Sequence, residues 1–325
     1  MVSSIWNPAL SLDAFPEAVT PDVSVAAVRK ARLAEMIQVT TIGILVRSII
    51  ILAELTGVWF SGSSALFVDA IASLFDVLSS LILLAAIRYA ANPPDVEHPF
   101  GHGRAEPLAG FQLGLFLIIA GCWMAVQNLL AATQADPHPG LGNRWTWLIP
   151  ACGTVMLAFV TYRIRKASLE SRSTALKAEA IHFQVDMLTS LITTITLATV
   201  ALWQSQAWLV DHVGAGILAV LMVALGIQAT WENLHQLLDH IPQDEDFARV
   251  RSSALQVEGV IDVEKLRIQH AGPDAHVNID IEVQPDITVA ASHLIAQQVR
   301  ARIQTDWPFV RDVIVHVEPY YEGDH

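Results

Sequence analysis

The stretch "SALFVDAIASLFDVLSS", residues 64–80, has the apolar composition of a membrane helix but contains two aspartates, Asp69 and Asp76. The two carboxylates are seven residues apart, so a helix places them on one face. An ionised carboxylate near the bilayer centre costs roughly 2.5–3.5 kcal/mol on insertion scales, and such residues usually face a partner or a water-filled path. The stretch therefore predicts a membrane protein with a polar interior site whose other members lie elsewhere in the chain.

The chain is too apolar for an ordinary soluble enzyme, with 53% hydrophobic residues among 325 and a mean hydropathy of +0.44. Runs of roughly 20 apolar residues with few interior charges are long enough to cross a bilayer as helices. These runs predict six spans, at about residues 37–60, 64–90, 107–132, 145–165, 180–203 and 207–230. We therefore expect a membrane α-helical bundle of six transmembrane helices over residues 37–232, with the lipid bilayer as its surroundings.

Basic residues lie mainly in the connections that we assign to the cytosol. They precede span one and lie between spans four and five, whereas the opposite connections carry only Arg144. The positive-inside rule then places both termini in the cytosol. Residues 1–36 are expected to form a cytosolic tail, because residues 1–28 lack the continuous apolar core of a cleaved signal peptide. We expect the protein in a bacterial inner membrane.

Residues 238–325 are predicted to form a cytosolic domain with a ferredoxin-like α+β fold. "HVNIDIEV" and "DVIVHVEP" alternate with period two, as strands do, and "TVAASHLIAQQVRARI" has helical spacing. The predicted αββαβ elements are a helix at about 243–256, strands at 259–270 and 275–284, a helix at 288–304 and a strand at 311–318.

The same domain is strongly acidic: after residue 238 the chain has sixteen Asp/Glu and seven Lys/Arg. This acidic balance suits cations and excludes nucleic acid as a partner.

A second polar intrusion, "EAIHFQVDML", interrupts span five and contains His182 and Asp186. These residues are four apart and share a helical face, the spacing that a shared cation requires. The helical rise places Asp76 about 12 Å and Asp186 about 10 Å from the inner surface, so the two aspartates lie at one level. The sequence predicts a divalent-metal site of Asp76, His182 and Asp186; hydrogen bonds between helices are the alternative.

The loop after span two contains "DVEHPFGHGRAE", residues 95–106, with Asp95, His98 and His102 clustered within it. Gly101 and Gly103 allow a tight turn there. Histidines at this density without aromatic packing partners favour metal binding over core filling. The loop therefore predicts a second metal site.

Two further charges in the spans require partners. Asp69 lies about 10 Å outward of Asp76, beyond the reach of one ion's ligands, so it would bind metal only as a second, outward site. A lone Arg within a span is costly, and we expect Arg47 to pair with Glu54 or Asp69. Our hypothesis is that Asp69 serves as this counter-ion.

Span three contains a small-xxx-small pattern, Gly110 and Gly114. Such a pattern allows close approach of two helices. It indicates either a dimer contact or packing within one subunit.

Together these features resemble the cation diffusion facilitator family. The resemblance covers about residues 30 to 319 and rests on the six spans, the "HPFGHGRAE" loop, the "HFQVD" motif and the αββαβ domain. It implies a homodimeric secondary transporter that exports divalent metals, zinc first, from the cytosol in exchange for protons. The spans contain no HExxH motif and no Ser/His or Cys/His nucleophile arrangement, so we do not expect an enzyme.

The resemblance also implies roles for particular residues. It assigns Asp76, His182 and Asp186 to transport, and Asp95, His98 and His102 to a loop metal site. Four residues occupy positions where relatives bind regulatory metal in the cytosolic domain: Asp280, His293, His316 and Glu318. Arg104 and Asp239 match a charged pair that joins the membrane and cytosolic halves in relatives.

One position departs from the family pattern. Relatives carry an Asp, His or Asn one helical turn before Asp76, and this chain carries Ala72. Three protein ligands need water or a neighbouring group as the fourth, which favours weaker binding or a metal that tolerates more waters, such as Fe(II), Mn(II) or Co(II). The alternative function is a metal-sensing membrane scaffold with a degraded transport site.

Overall fold

The computed structural model describes residues 23–61, 64–133, 147–202, 207–240, 244–272 and 274–323. The chain divides into two compact units. The larger unit comprises residues 30–240 together with 270–274, and the smaller one comprises the residues up to Arg29 with 241–269 and 275–325.

The larger unit is built from long apolar helices. Within the described residues these are α1 (Val23–Ser61), α2 (Ser64–Ala90), α3 (Ala105–Thr133), α4 (Leu148–Ser171), α5 (Thr174–Leu202) and α6 (Ala207–Leu237). By length and composition alone, three segments of the described chain could cross a membrane: Ser24–Ala53, Ala105–Ala131 and His212–Leu237. α1 begins at Val23, so its first turns lie in the segment expected to form the N-terminal tail.

Packing within this unit brings α5 against its neighbours. Phe183 of α5, Met36 of α1 and Leu83 of α2 are almost completely buried in one hydrophobic cluster. Because buried aromatic and aliphatic side chains fix the rotation of each helix, this cluster also determines where the polar residues of α2 and α5 point.

The small-xxx-small pattern of α3 packs inside the subunit. A Cβ atom on Gly110 would lie 2.2 Å from Oδ1 of Asn233, and one on Gly114 would lie 2.6 Å from the backbone N of Thr230. Both partners belong to α6. Of the two roles that the pattern indicates, the structure shows the intra-subunit contact between α3 and α6.

The smaller unit has the predicted order of elements. These are α7 (Asp244–Leu255), β1 (Asp262–Ala271), β2 (Asp274–Val283), α8 (Val289–Asp306) and β3 (Val310–Pro319). The sheet order is β1-β2-β3, and β2 pairs with β3 in parallel. The parallel crossover passes through α8, whose N-cap Thr288 accepts a hydrogen bond from the backbone N–H of Ala291. Trp307, Ile279 and Val250 lie in its core.

Candidate metal sites

The structure brings Asp76, His182 and Asp186 together between α2 and α5. His182 Nε2 lies 3.1 Å from Oδ1 of Asp76 and 4.0 Å from Oδ1 of Asp186. One ligand atom from each residue lies within 4.8 Å of the others. Two carboxylates and one imidazole in this arrangement provide three donors of the kind that divalent transition metals accept.

Burial gives this cluster its electrostatic character. His182 is 2% exposed, and the Asp76 and Asp186 side chains are mostly buried. The second ring nitrogen of His182, Nδ1, is buried without a hydrogen-bond partner among the described residues. Its ring orientation therefore depends on Asp76 and on the edge contact with Phe116, whose ring centroid is 6.0 Å away. Two carboxylates facing one imidazole favour a shared cation, proton or metal.

Arg47 has a partner that the sequence analysis did not anticipate. Its guanidinium donates a hydrogen bond to Oδ2 of Asp186 and lies over the Phe183 ring, 4.0 Å from the centroid. The expected partners were Glu54 or Asp69, whose side chains lie outside the described part of the chain, so the counter-ion role of Asp69 stays a hypothesis. The physical reason for the observed contact is helix rotation: packing turns Arg47 of α1 toward α5.

Sequence reasoning also missed a buried carboxylate. Glu179 lies on α5, one helical turn before His182, and its Oε1 accepts a hydrogen bond from the hydroxyl of Ser80. Oε2 is buried with no partner in the described chain. The spacing 179, 182, 186 on one helical face was the available signal in the sequence.

Two other residues of α2 that the sequence analysis singled out are Asp69 and Ala72. Their backbone is part of the described helix, but their side chains lie outside the described residues. The role of Asp69 as a ligand therefore remains a prediction, as does the consequence of Ala72 for the fourth ligand position.

The loop cluster forms as three neighbouring side chains. Asp95 Oδ1 lies 3.2 Å from Nδ1 of His98, and Asp95 Oδ2 lies 3.2 Å from Nε2 of His102. The two imidazole centroids are 4.4 Å apart, and Tyr89 contacts His102 edge-on. The backbone N–H of His98 donates to Asp95 and is the main cause that holds the pKa of this carboxyl below its usual range. An ionised carboxylate between two imidazoles is suited to bind a divalent cation.

Glycines shape this loop as the sequence suggests. Gly101 adopts a φ of 84°, which non-glycine residues rarely adopt. A Cβ atom on Gly103 would lie 2.3 Å from the carbonyl oxygen of Ala271. A side chain at position 103 would therefore collide with backbone.

In the smaller unit, Asp280, His316 and Glu318 form a third cluster on neighbouring strands. β2 and β3 pair with Asp280 opposite His316. His316 Nδ1 lies 3.0 Å from Oε1 of Glu318 and 3.8 Å from Oδ1 of Asp280. His293, the fourth residue assigned to this site, is not part of the cluster: it lies on α8, where its Nε2 hydrogen-bonds the side chain of Gln297.

The charged pair Arg104 and Asp239 forms within the larger unit. One guanidinium nitrogen of Arg104 contacts both carboxylate oxygens of Asp239, at 2.7 Å and 2.8 Å. Both side chains are exposed, so the pair contributes on the order of 1 kcal/mol or less to stability. A role in joining the two halves of the protein stays a prediction.

Comparison with known proteins places these clusters in a family. Residues 40–238 match the "Cation efflux transmembrane domain", and residues 242–320 match the "Cation efflux protein, cytoplasmic domain". The "Cation-efflux pump FieF" of Citrobacter koseri is 28% identical over 275 residues, which are 84% of this chain and 89% of that protein. The FieF protein of Salmonella typhi is 28% identical over 273 residues, with 84% and 89% coverage.

Solved structures of MamM CTD match part of the chain. One is 26% identical and covers 24% of this chain and 95% of that one, with a TM-score of 0.24. The nickel form of a variant is 28% identical and covers 24% of this chain and 100% of that one, also with a TM-score of 0.24.

The match to the transmembrane domain alone spans more than half of the sequence. The chain therefore belongs to the cation efflux family, the cation diffusion facilitators, and is a transporter rather than an enzyme.

Proposed function

We propose that this protein exports divalent transition-metal cations, zinc first, from the cytosol in exchange for protons. The observation that carries the proposal is the convergence of Asp76, His182 and Asp186, from two helices of one compact unit, within 4.8 Å. Carboxylate and imidazole donors buried in a membrane domain mark a cation pathway more often than a structural contact. The name of the relatives, cation-efflux pump, agrees with this direction of transport.

The number of protein donors bears on which metal is carried. Asp76, His182 and Asp186 provide three, and Ala72 supplies no side-chain donor one turn earlier. A zinc ion bound this way keeps an open position for water, whereas Fe(II), Mn(II) and Co(II) tolerate more waters and are the alternatives. Asp69 would form a second, outward binding site only if the ion passes it after leaving the site of Asp76, His182 and Asp186.

Proton exchange follows from chemistry at the same atoms. A metal ion and a proton compete for the same lone pairs of an imidazole or a carboxylate. In the proposed cycle the ion binds from the cytosol, the helices rearrange, and protons reoccupy the ligands as the ion leaves. Each elementary charge moved inward contributes about 2.3 kcal/mol per 100 mV of membrane potential.

The proposed architecture has six transmembrane spans over residues 37–232, cytosolic termini, and a ferredoxin-like domain over residues 238–325. We propose a homodimer in a bacterial inner membrane, a location consistent with relatives from Citrobacter and Salmonella. Within this arrangement the Arg104–Asp239 pair would help to join the membrane and cytosolic halves of the protein.

The other two clusters would bind the same metals as regulators. Asp95, His98 and His102 would gather metal at the cytosolic loop. Asp280, His316 and Glu318 would bind it in the cytosolic domain, tighten the dimer and raise transport when cytosolic metal is high. His293 would add a ligand to this cluster only if it came from the other subunit of the dimer, because within one chain its ring contacts Gln297.

A metal-sensing scaffold is the second candidate function. The observations that favour it are the missing donor at Ala72 and the intact Asp280–His316–Glu318 cluster. Such a protein would rearrange its dimer on binding metal without moving metal across the membrane.

Proteoliposome uptake separates these functions. We expect wild-type protein to carry Zn²⁺ or Co²⁺ into vesicles that have an opposing proton gradient, and Asp76→Asn to abolish uptake. Asp286→Asn is the matched control, because Asp286 is exposed and belongs to none of the clusters. A metal-dependent change in the dimer without flux through wild-type protein would establish the sensor instead.

A further inference from the structure

Arg47 combines deep burial with an incomplete set of contacts. The residue is 3% exposed, and its hydrogen bond goes to one carboxylate oxygen, Oδ2 of Asp186. The Nε and Nη1 atoms are buried without hydrogen-bond partners in the described part of the chain. A guanidinium that only stabilised the fold would normally be held by a bidentate contact and further acceptors.

The contact gives the two oxygens of Asp186 different partners. Oδ2 accepts from Arg47, while Oδ1 is the atom that faces His182 Nε2, at 4.0 Å. Asp186 can therefore offer one oxygen to a metal while the other stays on the guanidinium. Arg47 thus orients Asp186 and limits it to a single donor atom.

The same guanidinium sets the charge of the site. Three carboxylates belong to this cluster: Asp186, which accepts from Arg47, Asp76, which contacts His182, and Glu179, one helical turn before His182 on α5. With all three ionised and His182 neutral, these groups and Arg47 carry a formal charge of −2, which one divalent cation neutralises. Without Arg47 the formal charge would be −3, and the attraction for a divalent cation would increase.

We propose that Arg47 is a tethered cation of the transport site: it matches the site's charge to one divalent ion and weakens metal binding so that the ion can leave. The inference rests on the proposed function, because a residue that favours release matters only where release occurs. It makes Arg47 a positioning residue that acts through Asp186 and not a metal ligand. Its charge is permanent, so it opposes the metal throughout the cycle.

The test compares Arg47→Gln with Arg88→Gln, which removes an exposed charge at the end of α2. Both are made in full-length protein that carries His98→Ala and His316→Ala, so that the loop and cytosolic clusters do not obscure the titration. Binding of Zn²⁺ and Co²⁺ is measured by isothermal titration in detergent. We expect Arg47→Gln to bind at least about tenfold more tightly than its background protein, and Arg88→Gln to bind equally.

Vesicle kinetics provide a readout that a purely structural residue would not change. We expect Arg47→Gln to lower KM and Vmax together, since tighter binding slows release. Unchanged or weaker metal binding by Arg47→Gln would overturn the proposal, as would a lower Vmax at constant KM.

A third variant keeps the test decisive if Arg47→Gln does not fold. Arg47→Met removes the charge and keeps an apolar side chain against the Phe183 ring. We expect the same increase in affinity of about tenfold or more, and no increase would refute the inference. If wild-type vesicles show no Asp76-dependent uptake, the proposed transport fails, whereas the equilibrium titration still decides the role of Arg47.

Discussion

Asp186→Asn and Asp76→Asn should abolish transport alike but should differ in stability. Each removes one anionic donor from the same cluster, so each is expected to eliminate measurable uptake. Only Asp186→Asn also removes the partner of Arg47. The comparison therefore separates the metal-binding role of Asp186 from its role as a counter-ion.

The magnitude follows from burial. Arg47 is 3% exposed and the Asp186 side chain is 22% exposed. Removing one member of a buried ion pair costs about 3–5 kcal/mol, because the other charge stays buried and unpaired. Asp76→Asn keeps an oxygen that can accept from His182 and loses only the charge assistance of that hydrogen bond, about 1 kcal/mol. We therefore expect Asp186→Asn to be the less stable variant by roughly 2–4 kcal/mol.

The assay is reversible unfolding of purified protein in mixed micelles without metal, followed by tryptophan fluorescence. Arg47→Met provides the internal control, because it removes the charge that Asp186→Asn leaves unpaired. The double variant should recover most of the lost stability while remaining unable to transport. Equal stabilities of the two asparagine variants, or no recovery in the double variant, would refute the reasoning.

Three further changes test other parts of the molecule. Gly114→Val should destabilise the protein by about 1–3 kcal/mol, because a Cβ atom at position 114 would lie 2.6 Å from the backbone N of Thr230. Gly216→Ala is the control: a Cβ atom there has its nearest contact at 3.4 Å, so this variant should melt at the wild-type temperature. His98→Ala should remove one bound metal ion per chain in equilibrium dialysis, and an unchanged stoichiometry would count against the loop site. His316→Ala should abolish metal-dependent stimulation of uptake while leaving basal uptake measurable; stimulation equal to wild type would show that the cytosolic cluster is not the sensor.

Much of the fold could be predicted because its determinants are local in the chain. Period-two and helical spacing in the C-terminal part placed all five described elements within about three residues of their observed ends. Long apolar runs likewise predicted the helices, although α1 begins earlier, at Val23. Hydropathy marks where a chain is apolar enough to enter lipid, but helical structure continues beyond that region, which explains the difference.

The candidate donors were also accessible from sequence. The spacing of His182 and Asp186 and the rise per residue indicated one shared level with Asp76, and the structure brings the three residues together. The dense Asp95–His98–His102 motif forms its cluster within a single short loop. In the smaller unit, three of the four residues assigned by resemblance meet on adjacent strands, and the fourth, His293, lies on α8.

The amino-acid sequence thus established the class of protein, the order of its elements and the residue types that could hold a metal, since each depends on composition or on spacing along one helix or strand. The partner of Arg47 and the burial of Glu179 against Ser80 depended on three-dimensional packing. Hydropathy gives the depth of a residue in the bilayer but not the direction in which it points. That direction is fixed by how each helix is rotated against its neighbours, here by side chains such as Phe183 and by the glycines between α3 and α6.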